Sequence, residues 1–280
     1  MQVKTSLKVL CAKVQMTRQN YNKGHKQKAE QLIDSGLIVE LVKGERELQP
    51  RIGGKKLYVL LREELGLSGI KIGRDRFLKV LSENGLCVEP LPKSPRTTNS
   101  RHSLPVYVNL FAAMKLTAPN QALVSDITYI RTDEGFLYLS LITDAYSRMI
   151  LGFHAGDTLE TKESLKALKQ VLLDLPVGAT PVHHSDRGCQ YCSHMYTNEL
   201  KANGLGISMT KELHCYENAM AERVNGILKQ EYYLGSTFKT KEQAKEAIKQ
   251  AVHLYNTRRP HMSLGYKIPN AVHELAKTGN

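Results

Sequence analysis

The fold class follows from residues 122–155, ALVSDITYIRTDEGFLYLSLITDAYSRMILGFHA. Three runs rich in apolar and β-branched residues predict β-strands over 122–130, 136–143 and 149–155. The segments between these runs are short and contain Gly, Asp or Ser, as turns do. Consecutive strands joined by short turns predict an antiparallel meander.

The residues after this stretch alternate between helical and strand-like patterns. Apolar residues at helical spacing predict helices, and short apolar runs between them predict two more strands. The helices are predicted at 158–175, 193–203 and 218–232, and the strands at 181–185 and 207–209. Three strands followed by alternating helices and strands predict an α/β fold with a mixed sheet covered by helices.

The residues before the meander predict a small all-α region with two helical pairs. The first pair lies in residues 6–21, where Thr17 is placed to cap a helix that opens with Arg18 and Gln19. The second pair comprises 55–64 and 74–84, with Arg74 and Arg76 at the start of its second helix. Helix, turn and capped helix is the shape of a helix-turn-helix, so these four side chains are predicted DNA contacts.

A proline-rich segment, residues 89–105, separates the two regions and reads as a linker. The predicted domains are therefore a DNA-binding region over 1–88, this linker, and a body over 106–280. Residues 1–105 carry a net charge of +10 out of the total of +12. Such asymmetry favours a polyanion as the partner of the first region, although a merely solvated basic surface gives the same count.

The composition excludes several classes of protein. With 280 residues and 41% hydrophobic content, the chain can bury a core, which argues against wholesale disorder. It contains neither an apolar run long enough for a membrane span nor a signal peptide. Five cysteines are too few for a disulfide scaffold, so we expect a cytoplasmic protein without a membrane partner.

Three carboxylates are the candidate catalytic residues. Asp126 interrupts an apolar strand, where a carboxylate must be paired, capped or metal-bound. Asp186 closes another strand, where α/β sheets place ligands. Glu222 lies on the helix predicted at 218–232, in one strip with Asn218, Asn225 and Lys229 within an arc of roughly 60°, opposite the apolar face.

Acids that converge at a sheet edge repel one another unless a cation lies between them. Oxygen ligands select Mg²⁺ or Mn²⁺. Two such ions can hold the attacking and leaving oxygens of a phosphodiester, and Lys229 would then reach the substrate phosphate.

Several sequence motifs resemble those of a known protein family. Asp126, Asp186 and Glu222, with 35 residues between the last two, resemble the acidic triad of the retroviral integrase and transposase superfamily. Four motifs are similar to the second reading frame of bacterial insertion-sequence transposases of family three. They are DITYI, HSDRGCQY, YENAMAERVNGILK and the C-terminal YNTRRPHMSLG. The resemblance covers roughly residues 120–270, and the N-terminal region more loosely.

This resemblance implies an RNase H-like core and a C-terminal helical tail. It implies a transposase that cleaves DNA at the ends of an insertion element and transfers the freed strand, with Asp126, Asp186 and Glu222 as catalytic metal ligands. Asn218, Lys229, Arg187 and His184 are the candidate DNA contacts near the active site. The implied partners are the double-stranded DNA of the element ends and target, further copies of the chain on that DNA, and a partner or fusion encoded by an upstream frame.

Three alternatives remain open on the sequence. A hydrolytic nuclease of the same fold would use the same acids, and a DNA-binding regulator could carry a silent enzymatic body. The third is a zinc-stabilised nucleic-acid module, since Cys189 and Cys192 lie near His183, His184 and His194 and imitate a zinc site. We read Asp144 as a turn residue, and His214 and Cys215 as loop packing.

Overall fold

The computed structural model describes residues 6–89, 103–211 and 218–275. The chain divides into two compact units, Met1–Leu48 with Gly53–Val88 and Gln49–Ile52 with Glu89–Asn280. Most of the predicted linker lies outside the described residues. No helix in the described ranges is long and apolar enough to cross a membrane.

The first unit consists of helices. They are α1 (Leu7–Lys13), α2 (Arg18–Leu48), α3 (Gly54–Leu67) and α4 (Arg74–Glu83). Ile38 and Val42 of α2, Leu57 of α3 and Phe77 of α4 are fully buried and form its core. The predicted cap of α2 is confirmed, because the amide of Asn20 donates to Thr17 Oγ1 at 3.1 Å.

The second unit is built on one five-stranded sheet. Its strands are β1 (Ala122–Thr132), β2 (Gly135–Asp144), β3 (Ile150–Gly156), β4 (Val182–Ser185) and β5 (Gly206–Met209). The strand order is β3-β2-β1-β4-β5. β1, β2 and β3 pair antiparallel, whereas β4 pairs parallel with β1 and β5 parallel with β4. The predicted meander and mixed sheet are confirmed, and this order is the arrangement of an RNase H-like core.

Helices cover both faces of this sheet. They are α5 (Thr161–Asp174), α6 (Cys189–Cys192), α7 (His194–Ala202), α8 (Ala219–Glu231), α9 (Lys241–Thr257) and α10 (Pro269–Leu275), with two 3₁₀ turns at Phe111–Ala113 and Met262–Leu264. Ile130 and Leu139 pack with residues of α8 and α9 on one face. Leu123 and Ile142 pack with residues of α5 and α7 on the other.

The C-terminal tail is fastened to the rest of this unit by buried polar contacts. Asn256 donates to the carbonyl of Ile150 at 2.8 Å and accepts from its amide at 2.9 Å. Arg259, which is 2% exposed, donates from Nε and Nη2 to both carboxylate oxygens of Glu231 at 2.8 and 2.9 Å. Since Glu231 ends α8, this ion pair ties the tail to the helix that carries Glu222.

A short segment of the chain far from the sheet in sequence also belongs to this unit. Tyr232 Oη donates to Gln49 Oε1 at 3.0 Å, and the amide of Arg51 donates to the carbonyl of Glu231 at 3.1 Å. Gln49–Ile52 therefore packs against the end of α8 and belongs to the second unit, although residues of the helical unit precede and follow it in the sequence.

Candidate active site

Asp126 and Asp186 lie side by side because of the parallel pairing of their strands. Val124 of β1 is in register with His184 of β4, and each aspartate follows its partner by two residues. Asp126 Oδ1 accepts from the amide of Ile127 at 2.9 Å. Asp126 within β1 therefore lies at the level of Asp186, which directly follows the carboxyl end of β4, where sheets of this kind bind ligands.

The loop after Asp186 is shaped around that carboxylate. Asp186 Oδ1 accepts from the amide of Gly188 at 2.9 Å. A Cβ atom at Gly188 would lie 3.0 Å from the same oxygen, so a side chain there would press on the carboxylate. Glycine lets the backbone approach closely enough to donate this hydrogen bond.

Helix α8 is held on β1 by two asparagines that flank Glu222. Asn218 Nδ2 donates to the carbonyl of Ser125 at 3.1 Å, and Asn225 Nδ2 donates to Asp126 Oδ2 at 2.8 Å. Glu222 lies between them in the first turn of the helix and is exposed. The helix thus presents Glu222 beside the two aspartates.

The polar strip predicted on α8 is not a uniform solvated face. Asn218 and Asn225 are 2% and 5% exposed, whereas Glu222 is open to solvent. The Oδ1 atoms of both asparagines are buried and have no hydrogen-bond partner among the described residues. The amides therefore belong to the packing between α8 and β1.

Burial and neighbouring negative charge together disfavour the ionised form of Asp126. The pKa of Asp126 is raised to about 7, first by burial and then by the charge of Asp186, with a smaller contribution from Glu222. The hydrogen bonds from Asn225 and Ile127 act in the opposite direction. The three acids are therefore coupled, and a bound cation would relieve their repulsion.

Known proteins resemble the chain over this region. Two integrase core domain models match residues 117–215 and 203–269. The insertion element IS600 uncharacterized 31 kDa protein of Shigella sonnei is 38% identical over 216 residues, 76% of this chain and 79% of that protein. The transposase for insertion sequence element IS629 of the same species is 34% identical over 75% of this chain and 69% of its own length.

The chain belongs to the insertion-sequence transposases of the integrase superfamily. A further relative, the transposase InsF for insertion sequence IS3A of Escherichia coli (strain K12), is 33% identical over 65% of this chain and 64% of its own length. The resemblance seen in the sequence motifs is thereby confirmed.

Of the residues that imitate a zinc site, His183, His184 and Cys192 are buried in the core of the transposase, whereas Cys189 and His194 are exposed. His183 Nε2 lies 2.7 Å from Ser125 Oγ and 3.1 Å from Tyr196 Oη, and burial lowers its pKa to about 3. Cys192 is buried with its Sγ 3.6 Å from Met209 Sδ. Within the described ranges, no three His, Cys, Asp or Glu side chains are grouped closely enough to hold a metal ion.

The predicted DNA contacts near the site differ in their surroundings. Lys229 is half-buried, and burial lowers its pKa while the charge of Asp126 opposes that shift. Arg187 Nε donates to the carbonyl of Thr210 at 2.7 Å. His184 is fully buried, with Nδ1 2.8 Å from Ser208 Oγ and its ring stacked on Phe111, so it does not face solvent.

The predicted contacts of the N-terminal unit are all exposed. Arg18 and Gln19 open α2, and Arg74 and Arg76 lie in the first turn of α4. Arg74 pairs with Asp75 at 2.9 Å, and Arg76 lies 3.9 Å from Glu83. His214 and Cys215 lie outside the described residues.

Asp144 is a turn residue, as its sequence context predicts. It is fully buried at the end of β2. Its Oδ1 accepts from the amides of Tyr146 and Ser147 and from Ser147 Oγ, and its Oδ2 accepts from the amide of Asn120 at 2.7 Å. These donors occupy the carboxylate and fix the turn between β2 and β3.

Sequence reasoning missed one polar group next to the acids. Tyr191 is 2% exposed, and its hydroxyl has no partner within the described ranges. Its pKa is raised well above the usual value, first by burial and then by the charges of Tyr196, Asp126 and Asp186. A tyrosine in an apolar helical pattern reads as core, and nothing local distinguishes this one.

Proposed function

We propose that this transposase is a polynucleotidyl transferase in which Asp126, Asp186 and Glu222 are the catalytic residues. The observation that carries the proposal is that the charges of Asp186 and Glu222 both act on the buried Asp126. Asp126 lies on β1, Asp186 follows the neighbouring strand β4, and Glu222 lies on the helix packed against β1. In the reaction, water attacks a phosphodiester at the element's end, the P–O3′ bond breaks, and the strand leaves with a free 3′-hydroxyl. That hydroxyl then attacks a second phosphodiester: a new P–O3′ bond forms, the original P–O3′ bond at that phosphorus breaks, and its 3′-oxygen leaves as a new 3′-hydroxyl, so that the strands are joined.

The chemistry of the donor set fits a divalent cation, and holding one requires the three acids to draw closer together than they lie in the described structure. All of the candidate ligands are carboxylate oxygens, which Mg²⁺ and Mn²⁺ prefer. The pKa of Asp126 is raised first by burial and then by the charge of Asp186, and a cation would offset that charge. When bound, two such ions would activate the attacking oxygen and stabilise the leaving oxygen. Asp126, Asp186 and Glu222 are the residues proposed to hold them.

The remaining residues of the site orient these acids and the DNA. Asn225 fixes one oxygen of Asp126 and the amide of Ile127 fixes the other, so the carboxylate cannot rotate freely. Lys229, two turns beyond Glu222, supplies a cation that we propose contacts a DNA phosphate. Arg187 is a second such candidate, because it directly follows Asp186 and its Nε donates to the carbonyl of Thr210.

The test is the isosteric change Glu222→Gln. It removes one charge and leaves the shape of α8 unchanged, so Mg²⁺-dependent nicking of element-end DNA should fall to background while DNA binding persists. Glu246→Gln, an exposed change on α9, serves as the control and should leave nicking intact. Full nicking by the Glu222 variant would contradict the proposal.

A strand-joining assay separates transposition from simple hydrolysis. Labelled element ends incubated with Mg²⁺ should yield joined products in addition to nicked ones. Nicks without joined strands would instead support the hydrolytic nuclease, and DNA binding without nicks would support the silent regulator.

We further propose that the chain acts on double-stranded DNA as a homo-oligomer, alone or joined to the product of an upstream frame. The basic, exposed N-terminal unit is proposed to bind the element's ends, with Arg18, Gln19, Arg74 and Arg76 as contacts. Substituting Arg18 should weaken binding of the element end while leaving Mg²⁺-dependent nicking per bound complex unchanged.

A further inference from the structure

A second polar site lies in the catalytic unit, at the turn between β2 and β3. It is a pocket of about 380 Å³ between this turn and the C-terminal tail. The turn contributes Tyr146 and Arg148, and the tail contributes Ser263 and Lys267. Two cations and two hydroxyls line the pocket, and none of its lining residues is a carboxylate. The pocket therefore has the donors that an anion requires.

Arg148 adopts a backbone conformation that its side chain makes unfavourable. Its φ is 64°, in the left-handed region where glycine or asparagine fits more easily. An arginine in this conformation indicates a functional role for its side chain, since strained residues cluster at functional sites.

The guanidinium of Arg148 lacks a strong acceptor. Its Nε is buried with no hydrogen-bond partner among the described residues, and its Nη1 reaches only the sulfur of Met220. Burial lowers its pKa, although Tyr255 and Asp144 favour the charged form. Asp144 cannot serve as its acceptor in full, because four donors already occupy that carboxylate.

The tail holds Lys267 in a fixed place beside this arginine. The carbonyl of Lys267 accepts from the amide of His261 at 3.0 Å, and its amide donates to the carbonyl of Leu264 at 3.2 Å. Ser147 Oγ lies 3.0 Å from His273 Nδ1, which fastens α10 to the turn. The Lys267 side chain is exposed and forms no ion pair within the described ranges.

We propose that this pocket binds a phosphodiester of the DNA backbone, with Arg148 and Lys267 as the charged donors. The inference rests on the proposed function in taking DNA as the source of the phosphate. Arg148 contacts Met220, two residues before Glu222 in the chain, so a strand held here passes along the start of α8. The apolar part of the lining, which includes Leu116 and Val272, suits the face of a deoxyribose.

The test measures DNA binding without catalysis. The full-length protein is titrated into duplex DNA in EDTA at several salt concentrations, and the slope of log K against log [salt] is compared among variants. Each lost phosphate contact should reduce the magnitude of that slope by about 0.9. We expect this reduction for Lys267→Gln and for Arg148→Gln. Lys169→Gln, an exposed lysine on α5 outside the pocket lining, is the matched control and should keep the wild-type slope.

Two duplexes identify the source of the phosphate. A reduced slope on both an element-end duplex and an unrelated duplex supports a sequence-independent backbone contact. A reduction on the element-end duplex alone supports a contact specific to the end complex. An unchanged slope for Lys267→Gln on both duplexes overturns the inference, as does an equal reduction for Lys169→Gln. Because Lys267 is exposed, this variant folds even if Arg148→Gln does not.

The outcomes also separate this site from the proposed reaction. Reduced slopes in a protein that never nicks DNA would keep the phosphate site and remove the catalytic assignment. Nicking with unchanged slopes would keep the catalysis and remove the phosphate site.

Discussion

Replacing Asp126 by asparagine should change how the stability of the protein depends on pH. The pKa of Asp126 is about 7 in the folded protein, against 3.8 as its ordinary value. An acid whose pKa is raised on folding stabilises the protein fully below its unfolded pKa, and this contribution is lost as the pH rises through the folded pKa. For one such group, the loss between pH 5 and pH 8 is about 3 kcal/mol.

His183 acts in the opposite direction over the same range. Its pKa is about 3 in the folded protein, against 6.5 ordinarily, because burial disfavours its charged form. Its contribution is present above pH 6.5 and is lost as the pH falls, by about 2 kcal/mol between pH 8 and pH 5. These two groups should therefore nearly cancel in the wild-type protein. Asp126→Asn should leave the His183 effect alone, so the variant becomes less stable as the pH falls.

The measurement is thermal unfolding in EDTA at several values between pH 5 and pH 8. At roughly 2–4 °C per kcal/mol for a unit of this size, the difference in Tm between the two proteins should change by about 6–12 °C over the range. Asp174→Asn, an exposed change at the end of α5, should instead run parallel to the wild type. Mg²⁺ at pH 8 should raise the Tm of the wild type and not of the Asp126 variant. Parallel curves for wild type and Asp126→Asn would refute the reasoning.

Three other substitutions have outcomes set by single contacts. Asn225→Ala removes a hydrogen bond that lowers the pKa of Asp126, so the acidic limb of the pH–rate profile for nicking should move to higher pH; a lower rate with an unmoved profile would contradict this. Arg259→Leu removes both hydrogen bonds that Arg259 donates to the largely buried carboxylate of Glu231 and should cost about 3–5 kcal/mol in urea unfolding, much of which the additional change Glu231→Leu should restore. Gly152→Ala places a Cβ 2.3 Å from a backbone oxygen of α5 and should lower stability by at least about 1–3 kcal/mol, and unchanged unfolding would show that β3 and α5 can separate freely.

The elements that could be read from the sequence are those with a local signal. Strand-like runs separated by short turns predict the meander, and the capping side chain of Thr17 predicts the start of α2. The length of α2 could not be predicted in this way, because Gly24, Gly36 and Gly44 within it favour helix ends. In the structure a side chain at any of them would meet open space, so the helix continues through them.

The candidate acids could be picked out from the sequence, whereas the residues that hydrogen-bond to them could not. An aspartate in an apolar strand is conspicuous, whatever surrounds it. Whether Asn225 faces solvent or a carboxylate depends on where α8 docks, which is a tertiary property. The same holds for His184, whose place beside Asp186 in the sequence suggested a DNA contact and whose side chain instead packs in the core.

The placement of Gln49–Ile52 determines how the protein can be dissected. A fragment that starts after the predicted linker would retain every proposed catalytic acid. It would nevertheless lack the acceptor of the Tyr232 hydroxyl and the donor to the Glu231 carbonyl, at the end of the helix that carries Glu222. Weak activity in such a fragment would then result from the loss of these hydrogen bonds. Adding a peptide that contains residues 49–52 should restore the activity.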